Sequence, residues 1–195
     1  MIRPFRGGGA IDWLIVGLGN PGRQYTHTPH NIGFQVADEL RSRWALGAPK
    51  QRFKGELCEG RVRLPGGSEQ RLAVLCPLTF MNDAGRSVGP ARGSYKLGLE
   101  RVVVVHDEID LPFGDVRSRL GGGLAGHNGL KSLRRELGDE GFWRVRVGVG
   151  RPTSTDPEIV SAYVLGRFRQ SAAEVTELVH SACDAVEGLL EEQTG

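Results

Sequence analysis

Apolar positions recur along this chain with two periods, close to two residues in some stretches and close to 3.6 in others, and their alternation predicts the elements. Residues 13–16 and 102–105 are continuous apolar runs, the second of them four valines, and read as strands buried on both faces. Residues 57–64 and 71–75 flank Pro65-Gly66-Gly67 and predict a hairpin. Arg117 and Arg119 alternate along 116–120, and Arg144 and Arg146 alternate with Trp and Val along 143–149, as in half-exposed strands. Helical spacing begins after Asn31, a candidate N-cap, with Ile32, Phe34, Val36, Ala37 and Leu40 on the apolar face. Further helices are expected over 84–97, interrupted by glycine and proline, and over 127–137 and 158–163. The last runs over 171–191, where Val175, Leu178, Val179, Ala182, Val186 and Leu189 share a face. Residues 47–56 read as a linker, 76–82 and 151–157 as loops, and 1–11 as a flexible glycine-rich arm. The pattern predicts one α/β domain over 12–195, a central mixed, mostly parallel twisted sheet with helices on both faces.

Composition changes this picture only at its edges. A chain of 195 residues with 39% apolar and 25% charged residues is long enough for one sizeable core. The net charge of +2 does not by itself announce a nucleic-acid protein, but the charge is unevenly placed. Residues 117–151 hold eight Lys/Arg against three acids, and residues from 156 onward hold two Arg against eight acids. The sequence alone allows two readings: a basic surface for a polyanion, or two ordinary solvated faces. Cys58, Cys76 and Cys183 form no CxxC pair, the usage of a reducing compartment. No apolar run approaches the ~20 residues needed to span a bilayer, and residues 1–13 lack the apolar core of a targeting peptide. A cytoplasmic protein is expected.

Candidate chemistry gathers where the valine strand ends. His106-Asp107 stands at a strand's carboxyl end, where open α/β sheets place their ligands. Arg117 and Arg119 follow, then Gly121-Gly122-Gly123 and His127-Asn128 opening a helix, a glycine-rich approach that turns backbone N–H groups toward an anion. Gly17-x-Gly19-x-x-Gly22 imitates a dinucleotide fingerprint, but its third glycine is followed by a polar stretch rather than a helix, and Asp38 sits where a second strand should end. His27 and His30 have a metal-like spacing but lack a third nearby ligand. A neutral His30 just before a helix can instead serve as general base, with Asp107 on its other nitrogen and water as the attacking group. Asn20, Asn82 and Asn128 sit at turns or helix starts, ordinary places for asparagine, yet their amides can also hold a peptide backbone or an oxyanion. Arg117, Arg119, Arg144 and Arg146 are either a polar sheet face or a phosphate clamp.

From residue 13 to the last helix the chain resembles the bacterial-type peptidyl-tRNA hydrolases. The resemblance rests on five stretches in order: VGLGNPGRQYTHTPHNIGF, PLTFMNDAGRSV, VVVVHDEIDLPFG, GGGLAGHNGLKSL and FWRVRVGVGRP. It implies cleavage of the ester that joins a peptide to the 3′ end of tRNA, without metal or organic cofactor, releasing tRNA from stalled or aborted translation. His30 would be the base and Asp107 its orienting partner, while Asn20 would help distinguish an N-blocked aminoacyl group. Tyr25, Phe80, Asn82 and Asn128 would line the substrate site, with Met81 packed beneath the histidine. Arg117, Arg119, His127, Lys131, Arg144 and Arg146 would face the acceptor stem and 3′ CCA end. A monomer with no obligate protein partner and no membrane is expected. Pro29, Leu124-Ala125 and Thr153-Ser154-Thr155 depart from the family's usual residues, on the side expected to touch tRNA. The alternatives are an RNA-binding protein without catalysis on the same scaffold and, from the glycine fingerprint alone, a nucleotide-dependent oxidoreductase.

Overall fold

The apolar runs become the centre of a seven-stranded sheet. In the computed structural model, which describes residues 10–194, the strands are β1 (Trp13–Gly17), β2 (Lys50–Arg52), β3 (Gly55–Arg63), β4 (Glu69–Pro77), β5 (Val102–Glu108), β6 (Val116–Leu120) and β7 (Trp143–Gly148). Their order is β2-β3-β4-β1-β5-β7-β6. β4, β1, β5 and β7 run parallel, while β2, β3 and β6 are antiparallel to their neighbours. Every residue of β1 and β5 is buried, which is why these strands read as unbroken apolar runs.

Helices cover both faces. On one face α1 (Ile32–Arg43) and α5 (Ala172–Glu192) pack Val36, Leu40, Leu178, Ala182 and Val186 against Ile15, Val103 and Val105. On the other, α2 (Gly85–Tyr95) and α3 (Asn128–Leu137) bring Val88, Ala91, Leu130 and Leu133 against Leu14, Val16, Val102 and Val104. The remaining helix, α4 (Pro157–Leu165), starts on the Asp156 cap, which accepts from Glu158 N–H at 2.8 Å. α5 starts on a reciprocal capping box between Ser171 and Glu174. Among the described residues no helix is long and apolar enough to cross a membrane, and all three cysteines are free and buried.

One close approach sets the position of the site. A Cβ on Gly33 would fall 2.4 Å from Leu18 N and 2.5 Å from Val105 O, and one on Gly17 would fall 2.2 Å from Gly33 O. Only hydrogens at both positions let α1 begin directly against the carboxyl ends of β1 and β5. The turn before α1, residues 29–31, is thereby brought beside Asp107.

Three sequence expectations change. Residues 47–56 are not a linker: Lys50–Arg52 forms the exposed edge strand β2, and β3 already begins at Gly55. β2 is three exposed polar residues with no alternation to betray it. Residues 76 and 77 are the buried end of β4 rather than loop, paired with Glu56 and Gly55. Ile11, assigned to the arm, is buried in the core, and Asp12 bonds the backbone of Arg71 at 2.7 and 2.8 Å; residues 1–9 of that arm lie outside the described residues.

Candidate active site

The carboxyl ends of β1 and β5 open into a cleft of about 900 Å³. Its floor is His30, Asp107 and His127, and its walls come from the loop around Asn20, the turn Met81–Asp83 and α4 through Val160 and Val164. Asp107 is 4% exposed and meets two imidazoles. His30 Nδ1 lies 2.9 Å from Oδ1 and 3.0 Å from Oδ2, and His127 Nε2 lies 2.8 Å from the same Oδ1.

The hydrogen bonds assign the tautomers. His127 is the N-cap of α3, and its Nδ1 accepts from Gly129 N–H at 3.1 Å and Leu130 N–H at 3.4 Å. Its proton is therefore on Nε2, donated to Asp107. Asp107, an acceptor on both oxygens, likewise draws the His30 proton to Nδ1, so the Nε2 lone pair of His30 faces the cleft. Burial alone would raise the Asp107 carboxyl, but the two imidazoles outweigh it and hold that group well below the usual carboxylate range. For His30 burial disfavours the charged ring, yet the charge and hydrogen bond of Asp107 overcome it, and its pKa lies above the ordinary 6.5.

Ligand atoms of His30, Asp107 and His127 lie within 4.8 Å of one another, as in a three-ligand metal site. The donor set does not fit one. A cation on His127 Nε2 would move that ring's proton to Nδ1, against the two backbone N–H groups that Nδ1 now accepts.

Asn20 is held on three sides. Its N–H donates to Asn31 Oδ1 and its carbonyl accepts from Asn31 Nδ2, both at 2.9 Å. Its Oδ1 accepts from Met81 N–H at 2.7 Å, which leaves Nδ2 as the donor it can offer the cleft. Asn31 occupies the N-cap position of α1 as expected, but its side chain makes no cap hydrogen bond and braces Asn20 instead.

The family profile of peptidyl-tRNA hydrolase matches residues 14–195. The peptidyl-tRNA hydrolase of Solidesulfovibrio magneticus is 47% identical over 188 residues, 93% of this chain and 87% of that one. That of Rhodopseudomonas palustris strain BisB18 is 45% identical over 177 residues, covering 91% and 84%. The crystal structure of peptidyl-tRNA hydrolase from Acinetobacter baumannii superposes with a TM-score of 0.79 at 33% identity, covering 96% of this chain and 93% of that one. The chain belongs to the peptidyl-tRNA hydrolase family.

Of the residues that the family resemblance singled out, Asn20, His30, Phe80, Met81, Asn82, Asp107, His127, Asn128 and Lys131 line this peptidyl-tRNA hydrolase fold's cleft. Phe80 stands at the mouth, 59% exposed. The structure places four of these residues more closely. Tyr25 is outside the cleft wall, in the turn Arg23–Tyr25, where its carbonyl accepts from the Thr28 N–H and hydroxyl at 3.1 and 2.8 Å. The sulfur of Met81 lies toward Gly129, where an added Cβ would be only 2.6 Å away. His127, expected to face RNA, is a partner of Asp107. Arg144 is 2% exposed, its guanidinium donating to Gly123 O at 2.7 Å and to Gly121 O, so it is spent on holding the glycine loop. Arg117, Arg119, Arg144 and Arg146 do share a face through the β6–β7 register, but the loop folds back over Arg144. Arg146 is paired with the buried Glu108 at 3.0 Å, leaving Arg117 and Arg119 as the exposed members.

The sequence suggested Asn31 as a cap and a helix over 158–163, but not that Asn31, Glu108 and α4 belong to the site. The first two carried a faint signal, polar residues next to motif positions; α4 carried none, since its cleft-facing Val160 and Val164 look like any helix interior.

Proposed function

We infer that this chain hydrolyses the ester between peptide and tRNA in peptidyl-tRNA, with His30 as general base. The observation that carries the reading is the Nδ1 bond of His30 to Asp107 on a ring that lines the cleft. Water on His30 Nε2 gives up its proton as its oxygen attacks the ester carbonyl. The carbonyl oxygen takes the developing charge, supported by Asn20 Nδ2, and the proton returns from the imidazolium to the departing ribose oxygen. The products are a peptide carboxylate and free tRNA. A placed base supplies about 10²–10⁴-fold, an oxyanion donor about 10²–10³-fold, and positioning of ester and water the remainder.

Asn82 and Asn128 offer amides to the peptide backbone, and the exposed Phe80 offers it an apolar face. Arg117, Arg119 and Lys131, with Arg146 behind them, receive the acceptor stem and 3′ CCA end. Buried free thiols agree with work in the reducing cytoplasm, where this substrate arises.

The test is release of N-acetyl-amino acid from N-acetyl-aminoacyl-tRNA by wild type and His30→Ala, with unblocked aminoacyl-tRNA as control. Release by wild type alone, from the blocked substrate alone, is expected. Binding of tRNA without release would favour the RNA-binding reading instead.

A further inference from the structure

His106 lines the cleft without taking part in the reaction described above. It is 1% exposed, on the strand residue before Asp107, and its ring meets that of His127 edge to face at 5.1 Å. Its Nδ1 lies 2.8 Å from the backbone carbonyl of Asp107 and donates to it. Its Nε2 is buried and has no hydrogen-bond partner among the described residues. Burial, and then the neighbouring His127, push its pKa down to about 3, so the ring is neutral at any working pH. Half of its polar capacity is unmet in the interior, where an apolar side chain of similar size would cost less. Packing alone does not account for a histidine here.

The sheet register does. β1 ends at Gly17, opposite Val105, and the next residue's N–H, that of Leu18, donates to Val105 O at 3.0 Å. Carbonyls of a strand alternate sides, so that of Asp107 points the same way as that of Val105, past the point where β1 has stopped. His106 Nδ1–H supplies the donor that the missing strand residue would have given. The same ring backs His127, whose Nε2–H reaches Asp107 Oδ1 at 2.8 Å. Backbone and side chain of Asp107 are thus both tied to one imidazole, directly and through His127.

We propose that His106 is a positioning residue for the hydrolysis: it fixes the Asp107 backbone and the His127 ring so that Asp107 faces His30 Nδ1. The inference rests on the reading of His30 as base. The groups facing His106 are Asp107 on its own strand, His127 at the start of α3 and Arg144 on β7; those facing His30 are Asp107 and His127.

Two variants separate donor from filler. His106→Leu keeps the volume and removes the N–H; His106→Asn shrinks the side chain and keeps an N–H able to reach the next carbonyl. Each is measured for kcat and KM on N-acetyl-aminoacyl-tRNA, for the pH dependence of kcat/KM and for the His30 titration by NMR, with thermal melting as a check on folding. His106→Leu is expected to lower kcat roughly 10- to 100-fold, the usual cost of losing an orienting partner, with KM close to wild type. Its His30 titration, and the acid limb of the rate profile, should move down toward 6.5 as Asp107 loosens. His106→Asn should restore most of both. A folded His106→Leu with wild-type kcat and His30 titration would overturn the inference alone, as would an Asn variant no better than Leu. Wild-type turnover by His30→Ala would overturn the base reading and this inference with it.

Discussion

Replacing Asp107 by Asn removes one charge and turns one acceptor oxygen into a donor, and the geometry says which histidine suffers. His127 cannot adapt, because its Nδ1 is committed to two backbone N–H groups and its Nε2–H must meet an oxygen. The amide oxygen therefore takes the place of Oδ1, and the NH₂ takes that of Oδ2, 3.0 Å from His30 Nδ1. The amide oxygen still lies 2.9 Å from His30 Nδ1 but must now serve both histidines, while the NH₂ set against Nδ1 favours the tautomer with the proton on Nε2, the atom that must accept from water. The base-competent tautomer is disfavoured. The expected fall in kcat lies within the contribution of general-base catalysis, about 10²–10⁴-fold, or about 2.7–5.4 kcal/mol of barrier. The pH profile moves as well. In wild type Asp107 raises the His30 pKa, so the base is protonated and activity lost as pH falls through a value above 6.5. Without that charge the acid limb of the residual activity shifts to lower pH. The assay is N-acetyl-amino acid release between about pH 5 and 9, spanning the histidine range. A folded Asp107→Asn enzyme that retains wild-type kcat with an unmoved acid limb would refute the reasoning.

Other consequences follow from the packing and charge. Gly33→Ala drives a methyl group into backbone atoms at 2.4 and 2.5 Å, and is expected to cost about 3 kcal/mol or more in denaturant unfolding; a loss under about 1 kcal/mol would mean that α1 can withdraw from the sheet. Arg117→Ala with Arg119→Ala removes two exposed cations, and should weaken tRNA binding and flatten its log–log salt slope by about one to two units; an unchanged slope would put the RNA surface elsewhere. Arg144→Ala should behave in the opposite way, lowering the melting temperature and kcat as the carbonyls of Gly121 and Gly123 lose their donor, with the salt slope of tRNA binding kept. A fall in that slope would return Arg144 to the RNA contacts.

The central strands and the His30–Asp107 pair were legible because local patterns announce them: unbroken apolar runs mark doubly buried strands, and polar residues that end such a run mark the sheet's ligand edge. Membership of the family was legible from five ordered motifs. What stayed hidden depends on how distant segments fold over one another. Alternation put Arg144 and Arg146 on one face, but nothing local says that Gly121–Gly123 returns across it and buries Arg144. His127 looked like part of an anion-binding loop; its dual use, capping α3 with one nitrogen and bonding Asp107 with the other, exists only once α3 packs beside β5. Asn31 matched the pattern of a cap, yet two hydrogen bonds to Asn20 outcompete the cap bond. β2 has too few residues to show a period.

The proposed hydrolysis requires His30 to be the group whose protonation stops the reaction. The free enzyme's acid limb in kcat/KM reports the pKa of the essential base, and an NMR titration of the His30 imidazole reports the same quantity without turnover. The two are predicted to coincide, at a value above 6.5, and to move down together in Asp107→Asn. An acid limb that departs from the His30 titration, or stays in place when that titration moves, would show that another group carries the proton.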